Sequence, residues 1–458
     1  MMTLRFYIAL WAAKCAILAL RLLRRNATHY PGVIALKLCP DFLKLLKKPQ
    51  TIIGVTGTNG KTTVANLVTD ILTDQGHKVL SNRLGGNILG GITTVLLRGV
   101  GVFGGCKYPM AVLEMDERSS RLVFPHVQPD YLLCTNLFRD SFKRNAHSEY
   151  IQSILKKGIP AKSQLLLNAD DLIACGIRTD NDCSYFGVAR LPNEEAGAEN
   201  IIRDVSACPQ CGHPLTYDFC RYNHVGQVHC DHCGLRSPHA AVQAVWASDG
   251  VLQVRIEDTV HSFPLTGDNI TDIYNTTAAI ALLTKLGLTV EQIADSLTRC
   301  GIVKSRFDCV KVGDKQVIMN LAKGQNPIAC SRVFDYIRKT PGKKAVLILV
   351  DDAGDAATTS ENIAWIHEAD FEFLNQDDIV QIVAGGVRCQ DYRVRLLLAG
   401  VPAEKIGTYP KEIPAADLVD FEAADTIFIL YDVYTIHLAN GAKQRLLSRM
   451  EGGQSNDR

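Results

Sequence analysis

The sequence predicts an α/β protein: a central domain with a phosphate-binding loop and a mostly parallel sheet, a four-cysteine insert, and a second α/β domain. A β-branched run at residues 51–56, a glycine loop and an amphipathic helix follow one another without interruption. Apolar strand-like segments alternate with helical ones on both sides of two C-x2-C pairs. Such alternation builds a parallel sheet whose ligands bind at the carboxyl ends of its strands.

Length and composition set the broad class. At 458 residues the chain can hold two or three domains. We expect a helical segment over 1–50, a central ATP-binding domain over 51–305 and a C-terminal α/β domain over 306–458. A net charge of +1 provides no basic field for nucleic acid. The 15 cysteines, an odd number, favour free thiols in a reducing cytosol, so we expect a cytoplasmic protein.

The segment LRFYIALWAAKCAILALRLLRR, residues 4–25, is apolar and ends in arginines. Lys14 divides the apolar run into pieces shorter than the ~20 residues of a membrane span. No small-residue cleavage site follows it. Three interpretations stand: a helix packed on the body of the protein, a helix lying on the inner face of the membrane, or an anchor. The first is favoured.

Further apolar segments predict the strands of both sheets. In the central domain they are YPMAVLEM (108–115), PDYLLCTN (129–136) and SQLLLNAD (163–170). After residue 312 they are KQVIMN, KAVLILV, DIVQIVAGG and ADTIFILY. Each run is short and nearly continuous in apolar residues, which is typical of buried parallel strands.

The stretch GVTGTNGKTT, residues 54–63, joins the first strand to a helix and predicts an ATP-binding loop. Its end fits the pattern G-x-x-x-x-G-K-[ST], but Val55 stands where the first glycine belongs. The helix that follows directs N–H groups and the positive end of its dipole at an anion. Lys61 would reach the outer phosphates, and a threonine hydroxyl would reach Mg²⁺. The plainer alternative is a glycine-rich turn with a surface lysine. The expected binding residues are Gly57, Thr58, Asn59, Gly60, Lys61, Thr62 and Thr63.

Four cysteines form two C-x2-C pairs, eighteen residues apart, in an insert at about residues 201–240. They are Cys208, Cys211, Cys230 and Cys233. Two such pairs close a tetrahedral zinc site, and four protein ligands make the metal structural rather than catalytic. The alternatives are two redox dithiols, or a zinc ribbon that grips nucleic acid. The insert lacks the basic stripe with interleaved aromatic residues that nucleic-acid binding favours.

The loop GVTGTNGKTT resembles that of the Mur ligases, and further stretches are similar to the MurT family among them. These stretches are NRLGGNILGGITT (82–94), LEMDE (113–117), TNLFRDSFKR (135–144), LNADD (167–171), DIYNTTAA (272–279) and LAKGQNP (321–327). With the four-cysteine insert, the resemblance covers about residues 1–450. The ordered set of motifs is far more specific than the loop alone.

The resemblance implies a Mur-ligase-like fold and a reaction. ATP phosphorylates the α-carboxyl of D-glutamate in the stem peptide of lipid II. Ammonia from a separate glutaminase subunit, GatD, then converts the acyl phosphate to D-isoglutamine. Mg²⁺ would accompany the ATP, held by Glu114, while Asn275 would contact the nucleotide and Arg306 its phosphates. The simpler alternatives are a solvated acid for Glu114, a helix N-cap for Asn275 and a hinge salt bridge for Arg306.

One region departs from the family. MurT proteins carry a segment like S-W-x-W-D, which contributes an aspartate to the glutaminase's Cys–His pair. This chain has DDAGDAATTSENIAWIHEADFEF, with His367 and Glu368 where the Trp-Asp pair is expected. The candidates for that carboxylate are therefore Glu368, Asp355 and Asp370, in this order. A partner is expected in any case, because no cysteine of the sequence lies in the G-x-C-x-G frame of a glutaminase elbow.

Two other functions remain open at this point. A Mur-type amino-acid ligase would share the ATP loop. Such enzymes have a sugar-nucleotide-binding domain before it, and only about fifty residues precede the loop here. A zinc-ribbon ATPase that binds nucleic acid would show salt-dependent binding, which an isoelectric point of about 7.5 disfavours.

Overall fold

The structure is a computed structural model that describes residues 4–139, 147–192, 194, 197–267, 269–300, 308–351 and 363–454. These residues form two compact units. The first takes in nearly all described residues up to 300. The second takes in those from 308 onward, together with Arg139 and Glu199–Arg203. None of the described helices combines the length and the apolar character that a membrane crossing requires.

The first unit alternates helices and strands. Its helices are α1 (Leu4–Leu22), α2 (Tyr30–Leu38), α3 (Phe42–Leu45), α4 (Lys61–Asp74), α5 (Leu89–Gly99), α6 (Ser120–Val123), α7 (Ser148–Gly158), α8 (Leu172–Cys175), α9 (Ile270–Lys285) and α10 (Val290–Arg299). Its strands are β1 (Thr51–Thr56), β2 (Val79–Ser81), β3 (Met110–Glu114), β4 (Tyr131–Cys134), β5 (Gln164–Asn168), β6 (Cys183–Val188), β7 (Thr216–Tyr222), β8 (Val225–His229), β9 (Val242–Ser248), β10 (Val251–Ile256) and β11 (Thr259–Pro264).

Nine of these strands form one sheet in the order β11-β10-β9-β6-β5-β4-β1-β3-β2. Neighbours from β9 to β2 are parallel, and β10 and β11 extend the sheet as an antiparallel meander. The strand order changes direction at β1, which lies between β3 and β4. Ligands of such sheets bind outside the carboxyl ends of the strands at this switch point, and the glycine loop follows β1 there.

The sequence predicted β1, β3, β4 and β5 to within a few residues, and α4 begins at Lys61 as expected. It did not predict the meander β9–β11. Buried and half-buried positions alternate along β10, which carries Arg255, and Glu257 follows its last residue. A half-exposed strand lacks the continuous apolar run by which buried parallel strands were recognised.

The amino-terminal helix α1 packs on the first unit. Its buried residues are Phe6, Ala9, Leu10, Ala13 and Ile17. The ring of Phe6 stacks on that of Phe42, with 5.0 Å between centroids. Lys14 is accommodated because its Nζ donates to the carbonyl oxygens of Leu97, at 3.2 Å, and Val100, at 2.8 Å. These contacts confirm that one face of α1 packs on the body, as the favoured interpretation expects, and they leave its opposite face exposed.

The second unit is a further α/β layer. Its helices are α11 (Pro327–Lys339), α12 (Ala364–Glu368), α13 (Cys389–Leu398), α14 (Glu412–Ala415) and α15 (Ile436–Gln454). Its strands are β12 (Asp308–Val312), β13 (Lys315–Leu321), β14 (Lys344–Leu349), β15 (Ile379–Gly385), β16 (Ile406–Tyr409) and β17 (Thr426–Tyr431). They form one sheet in the order β12-β13-β17-β14-β15-β16, parallel except for the β12–β13 pair. The four strands predicted after residue 312 are all present.

Candidate active site

The glycine loop between β1 and α4 brings its lysine onto a buried carboxylate. Lys61 Nζ lies 2.8 Å from Glu117 Oε1 and also donates to the carbonyl of Gly57. The N–H of Gly57 donates to the same carboxylate oxygen at 3.0 Å. An ammonium group and a backbone N–H therefore converge on one anionic oxygen at the carboxyl end of β1. The Lys61 side chain is mostly buried, so it is not the surface lysine of the plainer alternative.

Two oxygens suited to a hard cation lie beside the lysine. Thr62 Oγ1 donates to Glu114 Oε2 at 2.7 Å, and Asn87 Nδ2 donates to Glu114 Oε1 at 2.8 Å. The main chain of Glu114 is fixed in turn by the side chain of Asn82, which bonds its N–H and its carbonyl, both at 2.8 Å. Glu114 ends β3, next to β1, so the register of the two strands brings it to the loop. It is an oriented side chain and not a freely solvated acid.

Glu117 is a candidate site residue that the sequence reasoning missed, although it is the last residue of the LEMDE motif. Burial raises the pKa of Glu117, and the charge of Lys61 lowers it in part. The signal that points to Glu114 is its place at the end of a predicted strand. Glu117 follows that strand, and only the three-dimensional approach of its loop to Lys61 gives it a role.

The loop conformation is held by the segment after β4. Thr135 Oγ1 and Asn136 Nδ2 both donate to the carbonyl of Asn59, at 2.7 and 3.0 Å. The N–H of Asn59 donates to Asn136 Oδ1 at 2.9 Å, and the N–H of Thr58 donates to the Asn136 carbonyl at 2.8 Å. Gly57 has φ +124°, and a Cβ there would lie 2.2 Å from Thr135 Oγ1. Thr135 and Asn136 therefore set the shape of the loop.

Asn275 lies against the loop glycine. A Cβ at Gly60, which has φ +86°, would lie 2.1 Å from Asn275 Oδ1. The N-cap interpretation of Asn275 is wrong: it lies inside α9 and is buried. Asn269 caps that helix by accepting from the N–H groups of Thr271 and Asp272. The position beside Gly60 is compatible with the nucleotide contact expected for Asn275.

The four cysteines of the insert come together. Their sulfur atoms all lie within 4.8 Å of one another, and the Cys208–Cys233 and Cys211–Cys230 pairs are each 3.5 Å apart. A tetrahedral site with Zn–S bonds of ~2.3 Å places its sulfurs ~3.8 Å apart, so the cluster fits the metal.

The hairpin β7–β8 lies between the two cysteine pairs in the sequence, and the residues at its tip are buried within the first unit. His224 is fully buried there, with Nε2 3.2 Å from Asp171 Oδ1 and its ring 4.7 Å from that of Phe138. Asp171 Oδ2 also accepts from the N–H of Leu137 at 2.7 Å, and the N–H of Phe138 donates to Thr58 Oγ1 at 2.9 Å. The insert thereby supports the segment that shapes the phosphate loop.

A second side chain of the hairpin, Arg221, is also buried. It pairs with Glu194 at 2.7 Å and lies 3.8 Å from Asp170, whose Oδ2 accepts from the Tyr274 hydroxyl at 2.7 Å. Burial raises the pKa of Asp170, although the Arg221 charge opposes this. Both carboxylates of the LNADD motif, Asp170 and Asp171, are thus engaged by cations from the insert.

Stability should depend on pH through His224. Burial lowers its pKa, but the charges of Asp171 and Asp204 and their hydrogen bonds outweigh this and raise the pKa to about 9. The imidazolium contribution is complete below the unfolded pKa of about 6.5 and is lost as the pH rises through about 9. We expect the wild type to lose on the order of 3 kcal/mol of unfolding free energy across this window, and His224→Gln to lose much less.

Denaturant unfolding at several pH values measures this difference. His77→Gln, which removes an exposed histidine of the same unit, is the matched control and should follow the wild-type curve. Curves for wild type and His224→Gln that run parallel from about pH 6 to about pH 10 would contradict a charged His224.

The carboxylates proposed for the partner differ in their surroundings. Glu368, at the end of α12, pairs with Arg139 at 2.8 Å and is partly buried. Asp370 is fully buried and accepts from Asn200 Nδ2 at 2.7 Å and from the N–H of Ile201 at 2.6 Å. Because of these two contacts, Asp370 stabilises the second unit, whereas Glu368 lies nearer the surface. Asp355 and Arg306 lie outside the described residues.

Relatives were found in both sequence and structure. The family described as MurT ligase C-terminal matches residues 323–436. The MurT subunit of lipid II isoglutaminyl synthase (glutamine-hydrolyzing) from Staphylococcus aureus is 30% identical over 462 residues, which cover 99% of this chain and 100% of that protein. The MurT subunit from Streptococcus pneumoniae is 30% identical over 414 residues, covering 88% and 89%.

Among solved structures, a pseudomurein peptide ligase type C from Methanothermus fervidus aligns with a TM-score of 0.67 at 21% identity, covering 89% of this chain and 80% of that one. A MurF ligase from Thermotoga maritima, in complex with ADP, aligns with a TM-score of 0.58 at 16% identity, covering 92% and 84%. The fold, with its loop after the first strand of a parallel sheet, is that of the Mur ligases. Within this class of enzymes, the chain belongs to the MurT family.

Proposed function

We propose that this chain is the ATP-using subunit of a complex that amidates lipid II. It would convert the D-glutamate α-carboxyl of the stem peptide to D-isoglutamine, with ammonia from a GatD-like glutaminase. The observation that carries the proposal is the meeting of Lys61, Thr62, Glu114 and Glu117 at the carboxyl end of β1, in a chain related to MurT subunits over its whole length.

The arrangement suits phosphoryl transfer to a carboxylate. In the first step a carboxylate oxygen attacks the γ-phosphorus, and the bond to the ADP oxygen breaks. In the second step ammonia attacks the acyl carbon, phosphate leaves with the C–O electron pair, and the nitrogen loses a proton. Both steps need negative charge to be neutralised and the reactants aligned, which is work for fixed cations and N–H groups. Lys61 and the first turn of α4 provide these at the outer phosphates.

The Mg²⁺ site is proposed on the Thr62 and Glu114 oxygens. Thr62 Oγ1 and Glu114 Oε2 would hold the ion, because they lie side by side and Mg²⁺ prefers oxygen ligands. Bound Mg²⁺ would neutralise charge on the β- and γ-phosphates. Asn275 and Arg306 are proposed to contact the nucleotide, and zinc is proposed to occupy the cysteine cluster in a purely structural role.

The second unit is proposed to dock the glutaminase and to complete its Cys–His pair with a carboxylate. A carboxylate there orients the imidazole and stabilises its charged form. Glu368 remains the first candidate, because it ends a helix and is only partly buried, and Asp355 is the second. Asp370 is the third, because its contacts inside the unit already account for its charge.

Reconstitution with a GatD-type glutaminase tests the proposal. Lipid II should be amidated with either glutamine or ammonium as the nitrogen source. Glu368→Ala should reduce the glutamine-driven reaction by about a hundredfold or more if Glu368 orients the imidazole, and leave the ammonium-driven reaction unchanged. Asp417→Asn, which removes a carboxylate paired with Arg445 in the same unit, is the control and should affect neither.

The outcomes separate the competing functions. If Glu368→Ala, Asp355→Ala and Asp370→Ala all keep glutamine hydrolysis, this chain lends no carboxylate to its partner. If lipid II is not amidated with ammonium but an amino acid is ligated, the chain is a Mur-type amino-acid ligase. Salt-dependent binding of DNA or RNA would instead favour the nucleic-acid-binding ATPase.

A further inference from the structure

The outer face of α1 carries a continuous apolar stripe. Its members follow the helical spacing i, i+4, i+7 and are Leu4, Ile8, Trp11, Cys15, Leu18 and Leu22, all exposed. Leu18 is 60% exposed, Leu22 is 77% exposed and Trp11 is 47% exposed. The opposite face of the helix is the one that packs on the first unit. An apolar stripe of this length on the outside of a folded unit marks an interaction surface.

A second segment adds to the same surface. The Gly101–Gly105 turn, closed by a 2.8 Å hydrogen bond from the Gly101 N–H to the Gly105 carbonyl, presents Phe103 at its tip, 81% exposed. Trp11 Nε1 donates to the carbonyl of Val102 at 2.9 Å, which fixes this turn beside α1. We call the stripe and the turn together the apolar face. Two segments distant in sequence are thus held side by side, with their largest apolar groups pointing outward.

The two chain segments that carry the apolar face bear basic residues and no acidic ones, and one of the basic residues, Arg83, pairs with Asp70. Residues 1–40 and 75–113, which contain both of its segments, include no Asp or Glu. They contain ten basic residues: Arg5, Lys14, Arg21, Arg24, Arg25, Lys37, Lys78, Arg83, Arg98 and Lys107. The whole chain has a net charge of only +1, so the rest of the chain is net negative and the net positive charge is concentrated in these two segments. Arg21, Arg24 and Arg25 are exposed at the end of the stripe.

We propose that the apolar face docks on a membrane surface that bears anionic headgroups. Leucine and phenylalanine side chains enter the acyl boundary, tryptophan prefers the headgroup level, and arginines near anionic lipid add electrostatic attraction. A second copy of the chain fits less well, because pairing two such faces brings like charges together. The purpose of the docking rests on the proposed function, since it would hold the active site near a lipid-linked substrate.

Flotation of the full-length chain with vesicles tests this inference. One set of vesicles is phosphatidylcholine with about one-third phosphatidylglycerol, and the other is phosphatidylcholine alone. We expect binding to the first set, weakened by salt, and much less binding to the second. Leu18→Glu and Phe103→Ser should each lower binding about tenfold. Val260→Glu, which changes a residue of β11 that is 51% exposed, is the matched control and should bind like wild type.

The assay contains no ATP, glutamine or lipid II, so its result stands apart from the amidation test. Ammonium-driven amidation of a lipid II analogue with a short, water-soluble chain should be unchanged in Leu18→Glu. Wild-type protein that stays unbound, or variants that float as well as wild type, would overturn the inference. So would sedimentation that shows a dimer which Leu18→Glu dissociates, because the face would then bind a second copy.

Discussion

Lys61→Ala is expected to abolish turnover with ATP, by about a thousandfold or more. Lys61 Nζ lies at the amino end of α4, where it and the helix N–H groups would face the outer phosphates. Removing a fixed cation from the place where charge develops raises the barrier without changing the reactants. Both glutamine- and ammonium-driven amidation should be lost, because both need the acyl phosphate. Lys78→Ala, at an exposed lysine of the same unit, should keep full activity.

Glu117, which forms an ion pair with Lys61, provides a control for the Lys61→Ala experiment. Without the lysine, Glu117 would lose the cation that offsets its burial, so Lys61→Ala should also lower stability. The double variant Lys61→Ala, Glu117→Gln removes that buried charge and should recover stability but not turnover. Recovery of turnover together with stability would mean that the loss in Lys61→Ala was structural. Near-normal turnover in the single variant would contradict the loop assignment.

The sequence identified what local patterns determine. The loop after β1, the strands with continuous apolar runs and the two C-x2-C pairs each show their physical cause within a few residues. Glu117 and His224 could not be found this way. Each acts through a partner distant in sequence, Lys61 for the first and Asp171 for the second. Only the fold brings them together, and a lone buried histidine or glutamate has no signature in sequence.

Asn275 shows that a local pattern can also predict a role that the fold gives to another residue. An asparagine before Thr-Thr-Ala-Ala satisfies the local rule for an N-cap, but Asn269 six residues earlier takes that role and α9 already includes Asn275. Helix ends are weakly encoded when two capping residues lie within two turns of each other. The family resemblance placed Asn275 at the nucleotide, and its position beside Gly60 agrees with that.

Replacing Cys230 with serine is expected to remove zinc and to destabilise the first unit. One lost thiolate opens the tetrahedral site, and binding free energy that is realised on folding is lost with it. The loss should be smaller than the roughly 10 kcal/mol that zinc contributes to small zinc-finger peptides, because the nine-stranded sheet does not depend on the metal. The hairpin β7–β8 should loosen, which would withdraw His224 from Asp171 and Arg221 from Asp170.

The expected loosening of hairpin β7–β8 distinguishes a zinc ion that supports the fold from one that has no effect on it. Because the hairpin supports the segment that shapes the phosphate loop, Cys230→Ser and Cys208→Ser should raise the KM for ATP while no catalytic group is removed. Cys220→Ser changes a cysteine of the same hairpin outside the cluster and should keep its zinc. Metal analysis measures the zinc content, and thermal unfolding measures the stability.

The zinc assignment would be contradicted by wild-type protein without zinc, or by a Cys208→Ser, Cys230→Ser double variant that is as stable as wild type. A reversible disulfide in either cysteine pair would favour redox dithiols.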